Sequence, residues 1–379
     1  MKVVIYESSS KGGCYEYAQY LYRACLHKKI DAKIILPENS ILSVIKDEKH
    51  SVRKILLNDK KKATSKIISR FCFLYRQFYN PIRFLFYLFK EPASVIIWND
   101  FEQLSAPFWI PILKLLARKH YHVIVLHDPD RDNYPPSVWY SAFCMKLIVQ
   151  NMNLGLYHEY LPEKLYYNHQ KTIFQSVVHG IYDTHIPDEL LLKNLIDWKG
   201  NQKLIAVIGN IRDEKNYDII LSALVKMPQV KLLIAGSAAN SAVDIHALKR
   251  YADSIGIANQ IHWEISFLSD SELAACIKAS DIILLYYKPE FVSQSGVLNL
   301  LVPHNKQFIY TDTPSGLQRM CRQYQIGVPC VANDSDELVR TIEQTSPLSE
   351  ESTVYDKYKK EADWISIIDI LEKRFEENK

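Results

Sequence analysis

Several common signals are missing from this sequence, and each absence argues against a class of protein. Its seven cysteines form no CxxC pair and have no regular spacing, which favours reduced, mostly buried cytosolic thiols over a disulfide framework or a zinc site. The start, MKVVIYE, has no apolar segment before the first predicted strand, so no signal peptide is expected. No clean run of about 18 apolar residues predicts a membrane-spanning helix. The formal net charge of only +3 argues against a dedicated nucleic-acid binder.

The chain instead shows short apolar strands that alternate with helices, which is typical of mostly parallel α/β sheets. Its 379 residues are enough for two domains. We predict an N-terminal domain over residues 1–183, a crossing from Asp183 to Gly200, a C-terminal domain over 188–355 and a last helix within 356–379. The predicted strands are residues 3–6, 32–36, 94–98, 123–126, 147–150, 175–178 and 309–311, with others near 204, 231, 260 and 282.

The most informative segment is residues 203–236. A buried-type strand runs into Gly209, a short turn carries Arg212 and Lys215, and a helix and a second strand follow, ending in Gly236. Ligands of open α/β sheets bind at the carboxyl ends of the strands. Two cations beside a helix N-terminus suit a diphosphate.

This segment resembles the C-terminal nucleotide-sugar domain of glycosyltransferase family 4. That family has a strand, Gly-Arg, a few residues, Lys-Gly or Lys-Asn, a helix, a strand and Gly. Lys215 keeps the family's spacing from Gly209, whereas Asn210 stands at the arginine position and Arg212 follows two residues later. The resemblance implies the GT-B architecture: two Rossmann-like domains facing a central cleft, with the C-terminal helix packed back on the N-terminal domain.

A second loop, within residues 281–312, carries further candidates for the donor. Ser295 and Gly296 open a predicted helix, and the amides of Gly296 and Val297 are placed to take a phosphate. The family has a pair of glutamates here, at positions that hold Ser293 and Leu300 or Leu301 in this chain. The resemblance, with Glu290 as the nearby acidic substitute, places the donor sugar or nucleoside against Gly209, Asn210, Gly236, Glu290 and Ser293.

In the first half, His127 and Asp128 follow the strand VIVL at its carboxyl end. A lone histidine is more often structural, but this position faces the edge where ligands bind. Relatives have Leu-His-Asp in this place, near the transferred sugar and the acceptor. The resemblance therefore implies a catalytic role for His127 and Asp128.

Gly12 and Gly13 open the first helix, and glycine lets backbone amides approach an anion closely. A plain turn is the alternative. The family's first loop also has Gly-Gly before a tyrosine-containing helix, so we assign Gly12 and Gly13 to the donor diphosphate. We assign Tyr15 to the acceptor side. His179-Gly180 resembles the family's His-Gly before the interdomain linker, and His179 is assigned to the acceptor side as well, with a structural turn as the alternative.

Asp128, Asp130 and Asp132 form overlapping D-x-D patterns. In GT-A glycosyltransferases such a pattern holds a divalent metal on the nucleotide diphosphate. Acidic triplets are common by chance, and the cations near Gly209 already match the phosphate charge. We therefore expect no essential metal and no cofactor.

Residues 46–90 hold twelve Lys or Arg and three acidic residues, and the basic residues alternate with aromatic ones. This composition suits a helix lying in an anionic membrane surface. Arg76, Pro81 and Arg83 argue against a span. The alternative is an insert that packs its aromatic residues inward. The expected lipid contacts are Lys60, Lys61, Lys62, Lys66 and Arg70 through charge, and Phe71, Phe73, Phe84 and Phe86 through insertion.

The resemblance to family 4 therefore implies a retaining, hexosyl-type glycosyltransferase that transfers a sugar from a nucleotide diphosphate donor to a hydroxyl group. The expected acceptor is a lipid-linked glycan of a bacterial surface polysaccharide, such as O-antigen (lipopolysaccharide) or capsule. The expected location is the cytoplasm, at the inner face of the plasma membrane. Two alternatives remain at this stage: a GT-B nucleotide-sugar epimerase, and a catalytically inactive partner subunit.

Overall fold

The structure is a computed structural model, and the part of the chain that it describes divides into two compact units. Unit 1 consists of Met1–His179 and Asp363–Lys379, and unit 2 consists of Gly180–Ala362. The described residues are 1–42, 52–58, 66–132, 137–239 and 243–378.

Each unit is built on one parallel sheet. In unit 1 the described strands are β1 (Lys2–Tyr6), β2 (Asp31–Pro37), β3 (Val52–Leu56), β4 (Val95–Trp98), β5 (Tyr121–Leu126), β6 (Leu154–Tyr157) and β7 (Ile173–Ser176), in the order β3-β2-β1-β4-β5-β6-β7. In unit 2 they are β8 (Lys203–Ile208), β9 (Val230–Ala235), β10 (Ile261–Glu264), β11 (Ile282–Leu285), β12 (Gln307–Thr311) and β13 (Val328–Cys330), in the order β10-β9-β8-β11-β12-β13.

Helices connect these parallel strands, as crossover connections require. Their bounds are α1 (Gly13–His27), α2 (Lys66–Lys90), α3 (Ala106–Leu116), α4 (Val138–Val149), α5 (Glu189–Lys199), α6 (Tyr217–Val225), α7 (Ile245–Ser254), α8 (Asp270–Ala279), α9 (Gly296–Leu301), α10 (Gly316–Tyr324), α11 (Ser335–Gln344), α12 (Asp356–Glu361) and α13 (Trp364–Glu377).

The central strands β4 and β5 are buried along their whole length, which explains their continuous apolar sequences. In unit 1 the core on one side of the sheet is aromatic. Trp98 stacks on Trp109 at 4.9 Å between ring centroids, and Phe84 packs against Tyr6 at 4.7 Å. Phe84 is fully buried. The expectation that Phe84 inserts into lipid is therefore wrong, because its ring belongs to this core.

The last helix, α13, packs on α1 and so belongs to unit 1, which confirms this part of the fold prediction. Trp364 stacks on Tyr20 at 5.1 Å. Lys28, at the end of α1, donates to the carboxylates of both Asp369 and Glu372. The buried stripe of α13 contains Trp364, Ile367, Ile368 and Leu371.

Some predicted strands differ from the structure. Residues 147–150 do not form a strand, because Leu147–Val149 belong to the last turn of α4, in which Ile148 and Val149 are buried. A short apolar run can belong to a buried helix as easily as to a strand. The strand expected at 175–178 is β7, two residues earlier. The predicted crossing contains helix α5, capped by Asp188, whose carboxylate accepts from the amide of Leu191 at 2.8 Å.

Within the described residues, no helix is both long enough and apolar enough to cross a bilayer. The basic segment forms helix α2, which begins at Lys66. Lys60, Lys61 and Lys62 lie outside the described residues.

Candidate functional site

The two sheets share one arrangement around their first strand. β1 lies between β2 and β4, and β8 lies between β9 and β11. In each unit the next strands along the chain are added on one side of this first strand, and the later strands are added on its other side. Open α/β sheets bind ligands at the carboxyl ends of the strands at such a point. We call residues 7–13, after β1, the acidic turn, and residues 209–216, after β8, the cationic turn.

Two glycines make the backbone of the cationic turn possible. Gly209 has φ +94° and Gly236 has φ +144°, values that side-chain-bearing residues rarely adopt. A Cβ on Gly236 would lie 2.2 Å from the carbonyl oxygen of Gly209, so the two backbones are in direct contact. The amide of Gly209 donates to the carbonyl of Ala235 at 2.9 Å. This contact fixes the start of the turn against the end of β9.

Lys215 is the central charge of the cationic turn. Its side chain is buried, and its Nζ donates to the carbonyl of Ile208. Among the described residues, no carboxylate lies within ion-pair distance of this ammonium. Burial, together with the charge of Arg212, lowers the pKa of Lys215 to about 7. A buried cation without an anionic partner is costly, and such groups are concentrated at functional sites.

Arg212 lies beside the loop that connects β11 to α9. Its guanidinium lies 5.8 Å from the ring centroid of Tyr287 and 5.5 Å from that of Phe291. The hydroxyl of Tyr287 lies 2.7 Å from the Oγ of buried Ser295. Arg212 also lies 3.9 Å from the carboxylate of Glu214, and its side chain is 38% exposed. The turn therefore presents Arg212 toward the loop that carries Ser295, as its predicted role requires.

The start of α9 lies beside the glycine of the cationic turn. A Cβ on Gly209 would be 3.1 Å from Cγ2 of Val297 and 3.5 Å from Nζ of Lys215. The structure thus places five of the seven residues predicted to bind the diphosphate around Gly209, which was itself predicted for the donor sugar or nucleoside. These five are Arg212, Lys215, Ser295, Gly296 and Val297.

The residues predicted for the donor sugar or nucleoside are less closely gathered. Asn210 and Glu290 are exposed. The carbonyl of half-buried Ser293 accepts from the amide of Leu317 at 3.3 Å, so its backbone is tied to the start of α10. The structure shows no contact that assigns Glu290 to the donor, and its role stays a prediction.

In unit 1, three neighbouring strands each end in a polar residue, and these residues are connected. Glu7, Asn99 and His127 directly follow β1, β4 and β5. The Nδ2 of Asn99 donates to Oε2 of Glu7 and to the carbonyl of Cys14, the latter at 2.8 Å. The Oδ1 of Asn99 lies 3.1 Å from Nε2 of His127. The other oxygen of Glu7 accepts from the amide of Ser9 at 2.7 Å.

The acidic turn buries an acid where the cationic turn buries a base. Glu7 is fully buried, and burial together with the nearby Asp100 raises the pKa of its carboxyl group to about 8, so most of it is protonated at pH 7. Burial and these same two carboxylates raise the pKa of the Cys14 thiol, so their field reaches the first turn of α1. A diphosphate at Gly12 and Gly13 would lie near these acidic groups and would favour their protonated forms. The assignment of Gly12 and Gly13 to the diphosphate stays a prediction, and the acidic side chains nearby do not support it.

His127 lies in an aromatic cluster. Its ring meets that of Tyr17 edge-on at 4.6 Å, and Tyr17 also contacts the rings of His158, His179 and Trp364. Burial lowers the pKa of His127 well below its usual value, and the neighbouring histidines add to this effect. The ring is therefore neutral near pH 7. His179, predicted on the acceptor side, packs against Trp364 at 5.3 Å.

Two other predicted residues of unit 1 have defined places. The hydroxyl of Tyr15 donates to the carbonyl of Ile41 at 2.7 Å, so in this structure it fastens the loop after β2. Asp128 is half-buried, directly after His127. Both assignments stay predictions.

The D-x-D carboxylates already have a cation from the protein. The ammonium of Lys164 lies 3.2 Å from Asp130 and 2.7 Å from Asp132. A metal at this pair of carboxylates would have to displace Lys164 or share them with it.

Sequence reasoning missed Glu7, Asn99 and the aromatic pair Tyr287 and Phe291. The two rings stack at 4.0 Å beside Arg212. A signal for the first two was present, because each directly follows a buried strand, as His127 does. Tyr287 had the same kind of signal, two residues after β11.

Comparisons with known proteins point to the same unit. Residues 192–290 match the family model "Glycosyl transferases group 1". This match includes the cationic turn and ends before α9. The chain is 28% identical over 130 residues to the D-inositol 3-phosphate glycosyltransferase of Mycobacterium ulcerans, covering 32% of this chain and 27% of that protein. It is 34% identical over 102 residues to the protein of that name from Mycolicibacterium smegmatis, covering 26% and 22%. The chain spans about a quarter of the length of these relatives.

Solved structures resemble the whole chain. A sucrose-phosphate synthase from Thermosynechococcus elongatus has a TM-score of 0.71 at 12% identity, covering 99% of this chain and 98% of that one. Anabaena HepE, solved in complex with UDP and glucose, has a TM-score of 0.69 at 13% identity and covers all of both chains. At this identity the likeness establishes the fold. The predicted GT-B fold is confirmed in its two parallel α/β sheets and its returning C-terminal helix.

Proposed function

We propose that this protein is a glycosyltransferase that binds a nucleotide diphosphate sugar in unit 2 and transfers the sugar to a hydroxyl group. The observation that carries this proposal is Lys215, a buried ammonium without a carboxylate partner among the described residues, at the point where the strand order changes. The family match covers the same turn. HepE, similar in fold, is described in complex with UDP and glucose.

The chemistry follows from these charges. Transfer breaks the bond between the anomeric carbon and a diphosphate oxygen, and a new bond joins that carbon to the acceptor oxygen. The acceptor hydroxyl passes its proton to the departing diphosphate. Negative charge builds up on the departing diphosphate. Lys215 and Arg212 would stabilise that charge from fixed positions, in a partly dry site where the interaction is strong. The resemblance to family 4 supports a hexosyl donor and retention of the anomeric configuration.

Binding tests this proposal before turnover does. A panel of nucleotide diphosphate sugars is screened by thermal shift, because a ligand that binds only the folded state raises the melting temperature. We expect one nucleotide series to stabilise the protein and its Lys215→Met variant to lose the response. The stabilising donor is then assayed for hydrolysis and for transfer.

The outcomes of these assays separate the alternatives. Transfer to an acceptor supports the glycosyltransferase. Conversion into a second nucleotide sugar without acceptor would identify an epimerase. Binding without any turnover would identify an inactive partner subunit. If no nucleotide sugar binds, the proposed site is wrong.

We further propose that unit 1 contacts an anionic membrane through α2, so that a lipid-linked glycan of a surface polysaccharide serves as acceptor. Residues 67–75 are exposed apart from half-buried Cys72, although most of them are apolar. Phe71 is 70% exposed, and α2 contains no acidic residue. Further along, Phe78 meets exposed Phe108 of α3 at 5.0 Å, and buried residues of α2 begin at Asn80. Exposed aromatic side chains with cations alone suit an anionic lipid surface.

Vesicle flotation tests the membrane contact. The wild type should float with anionic vesicles at low salt, and Phe71→Ser combined with Arg70→Glu should not. Leu190→Ser is the matched control, because Leu190 of unit 2 is also 70% exposed. If wild type stays with the soluble fraction, the acceptor is soluble and the polysaccharide assignment fails with it.

A further inference from the structure

The arrangement around Asn99 fixes more than the position of His127. Asn99 has one acceptor atom and two N–H donors on its side chain. Its Nδ2 faces the carbonyl of Cys14 at 2.8 Å and a carboxylate oxygen of Glu7. The carbonyl of Cys14 can only accept, so a rotated amide would place two acceptors face to face there. The orientation of Asn99 therefore follows from its neighbours.

This orientation leaves Oδ1 for His127. An oxygen of an amide can only accept, so Nε2 of His127 must carry the proton across the 3.1 Å contact. A neutral imidazole holds a single N–H, and its lone pair then lies on Nδ1. The lowered pKa of His127 agrees with a neutral ring.

We propose that Asn99 is a positioning residue that holds His127 in the Nε2–H tautomer, so that Nδ1 presents its lone pair to a hydroxyl group of the acceptor. The functional half of this inference rests on the proposed glycosyltransferase activity. Glu7 supports Asn99 from the strand on its other side. Three adjacent strands thus supply the support, the orienting amide and the ring that meets the substrate.

A second histidine in the same cluster provides an internal reference. Nδ1 of His158 lies 3.1 Å from the carbonyl of Val177, which can only accept. His158 must therefore carry its proton on Nδ1, the opposite tautomer. It lies 6.0 Å from His127 between ring centroids and has no hydrogen bond to Asn99.

Nitrogen NMR of the intact protein, with ¹⁵N-labelled histidine, distinguishes these forms, because a protonated and an unprotonated ring nitrogen have well-separated shifts. His127 is assigned by its absence from the spectrum of His127→Gln. We expect the Nε2–H form for His127 and the Nδ1–H form for His158 in the wild type. In Asn99→Leu the Nδ1–H fraction of His127 should rise several-fold, the size expected for the loss of one buried hydrogen bond.

Two further measurements separate positioning from folding. Asn99→Asp loses the two donors to Glu7 and Cys14 but keeps an acceptor for Nε2, so Nε2 of His127 should stay protonated in this variant. His158 should stay Nδ1–H in every variant, which reports that the cluster is intact. With an identified donor, Asn99→Leu should lower kcat at least tenfold and leave the donor Kd unchanged, because the donor charges lie in unit 2.

The outcomes bear on two different claims. An Nδ1–H ring at His127 in the wild type overturns the proposal whatever the activity. An unchanged tautomer in Asn99→Leu, with His158 unaffected, also overturns it. If the tautomers behave as expected but no nucleotide sugar binds or turns over, the ring geometry stands and the glycosyltransferase assignment fails.

Discussion

The acidic turn of unit 1 and the cationic turn of unit 2 occupy the same place in two similar sheets, yet one buries an acid and the other a base. Each follows the first strand of its unit, contains glycine and leads into a helix. One buries the carboxyl group of Glu7 and the other the amino group of Lys215. The glycine and the helix start are therefore insufficient to define a phosphate site. Only the buried base can supply a positive charge to an anionic ligand.

The largest expected effect is the removal of the charge in the cationic turn. Lys215→Met should lower donor affinity or kcat/KM more than tenfold, because a charge-assisted contact is worth about 1.5–3 kcal/mol. Lys226→Met removes a lysine of unit 2 that pairs with Asp336 at 2.7 Å on the surface, and it should have no such effect. Calorimetry and steady-state kinetics measure both variants. Unchanged kcat/KM in folded Lys215→Met contradicts the assigned role.

The same variant should be more stable than the wild type in the absence of donor. The folded state releases the Lys215 proton near pH 7, whereas the unfolded chain keeps it to about pH 10.4. Between these values the unfolded state binds more protons, so this lysine lowers stability most at and below neutral pH. A melting temperature of Lys215→Met below that of the wild type at pH 7 would show that the ammonium has a stabilising partner.

A pair of alanine substitutions compares the turns directly. Gly12 and Gly209 have φ +92° and +94°, so both Gly12→Ala and Gly209→Ala introduce backbone strain. The new methyl group at Gly209 would lie 3.1 Å from Cγ2 of Val297 and 3.5 Å from Nζ of Lys215. The new methyl group at Gly12 would have no atom within 4 Å. We expect about a tenfold loss of donor affinity for Gly209→Ala, on the scale of one lost contact, and no change for Gly12→Ala. A loss in both would restore Gly12 to the diphosphate site.

The pKa of Lys215 also predicts how donor binding varies with pH. A diphosphate binds the charged ammonium better, and the free protein loses that charge above about pH 7. Donor affinity should therefore fall as pH rises from 7, by at most tenfold per unit. Binding at pH 8 should take up a proton, which calorimetry detects in buffers of different ionisation enthalpy. Proton uptake that persists in Lys215→Met would assign it to another group.

The smallest effect is expected from metal removal. Because Lys164 already forms ion pairs with Asp130 and Asp132, EDTA should change the transfer rate by less than twofold. A chelator-sensitive rate that manganese restores would return the D-x-D carboxylates to a role on the donor.

What the sequence could predict depended on signals that lie close together along the chain. The cationic turn was recognisable because its strand, cations and helix follow one another, and α13 because its apolar residues recur at helical spacing. The secondary structure of Leu147–Val149 was ambiguous, because a short apolar run has the same pattern in a buried helix end as in a buried strand. Phe84 was misassigned since only the fold shows that it faces Tyr6 and Trp98.

The hydrogen bonds that join Glu7, Asn99 and His127 could not be predicted, because these residues follow three separate strands. Glu7 and Asn99 are 92 residues apart, and either could have been an ordinary surface residue. Only the order β1-β4-β5 brings Glu7, Asn99 and His127 together. The charge of a strand-end residue is visible in a sequence, but its burial against a neighbouring strand is not.

The position of α13 has a consequence for the order in which the chain matures on the ribosome. Unit 2 is continuous in sequence, whereas unit 1 also contains α13 from the end of the chain. The ion pair between Lys28 and Asp369 joins residues that are 341 positions apart. Unit 1 can therefore complete its core only after the whole of unit 2 has been synthesised, although most of unit 1 is synthesised first. Until α13 emerges, the face of α1 that carries Tyr17 and Tyr20 lacks its cover, and the nascent unit exposes aromatic surface that invites chaperone binding or aggregation.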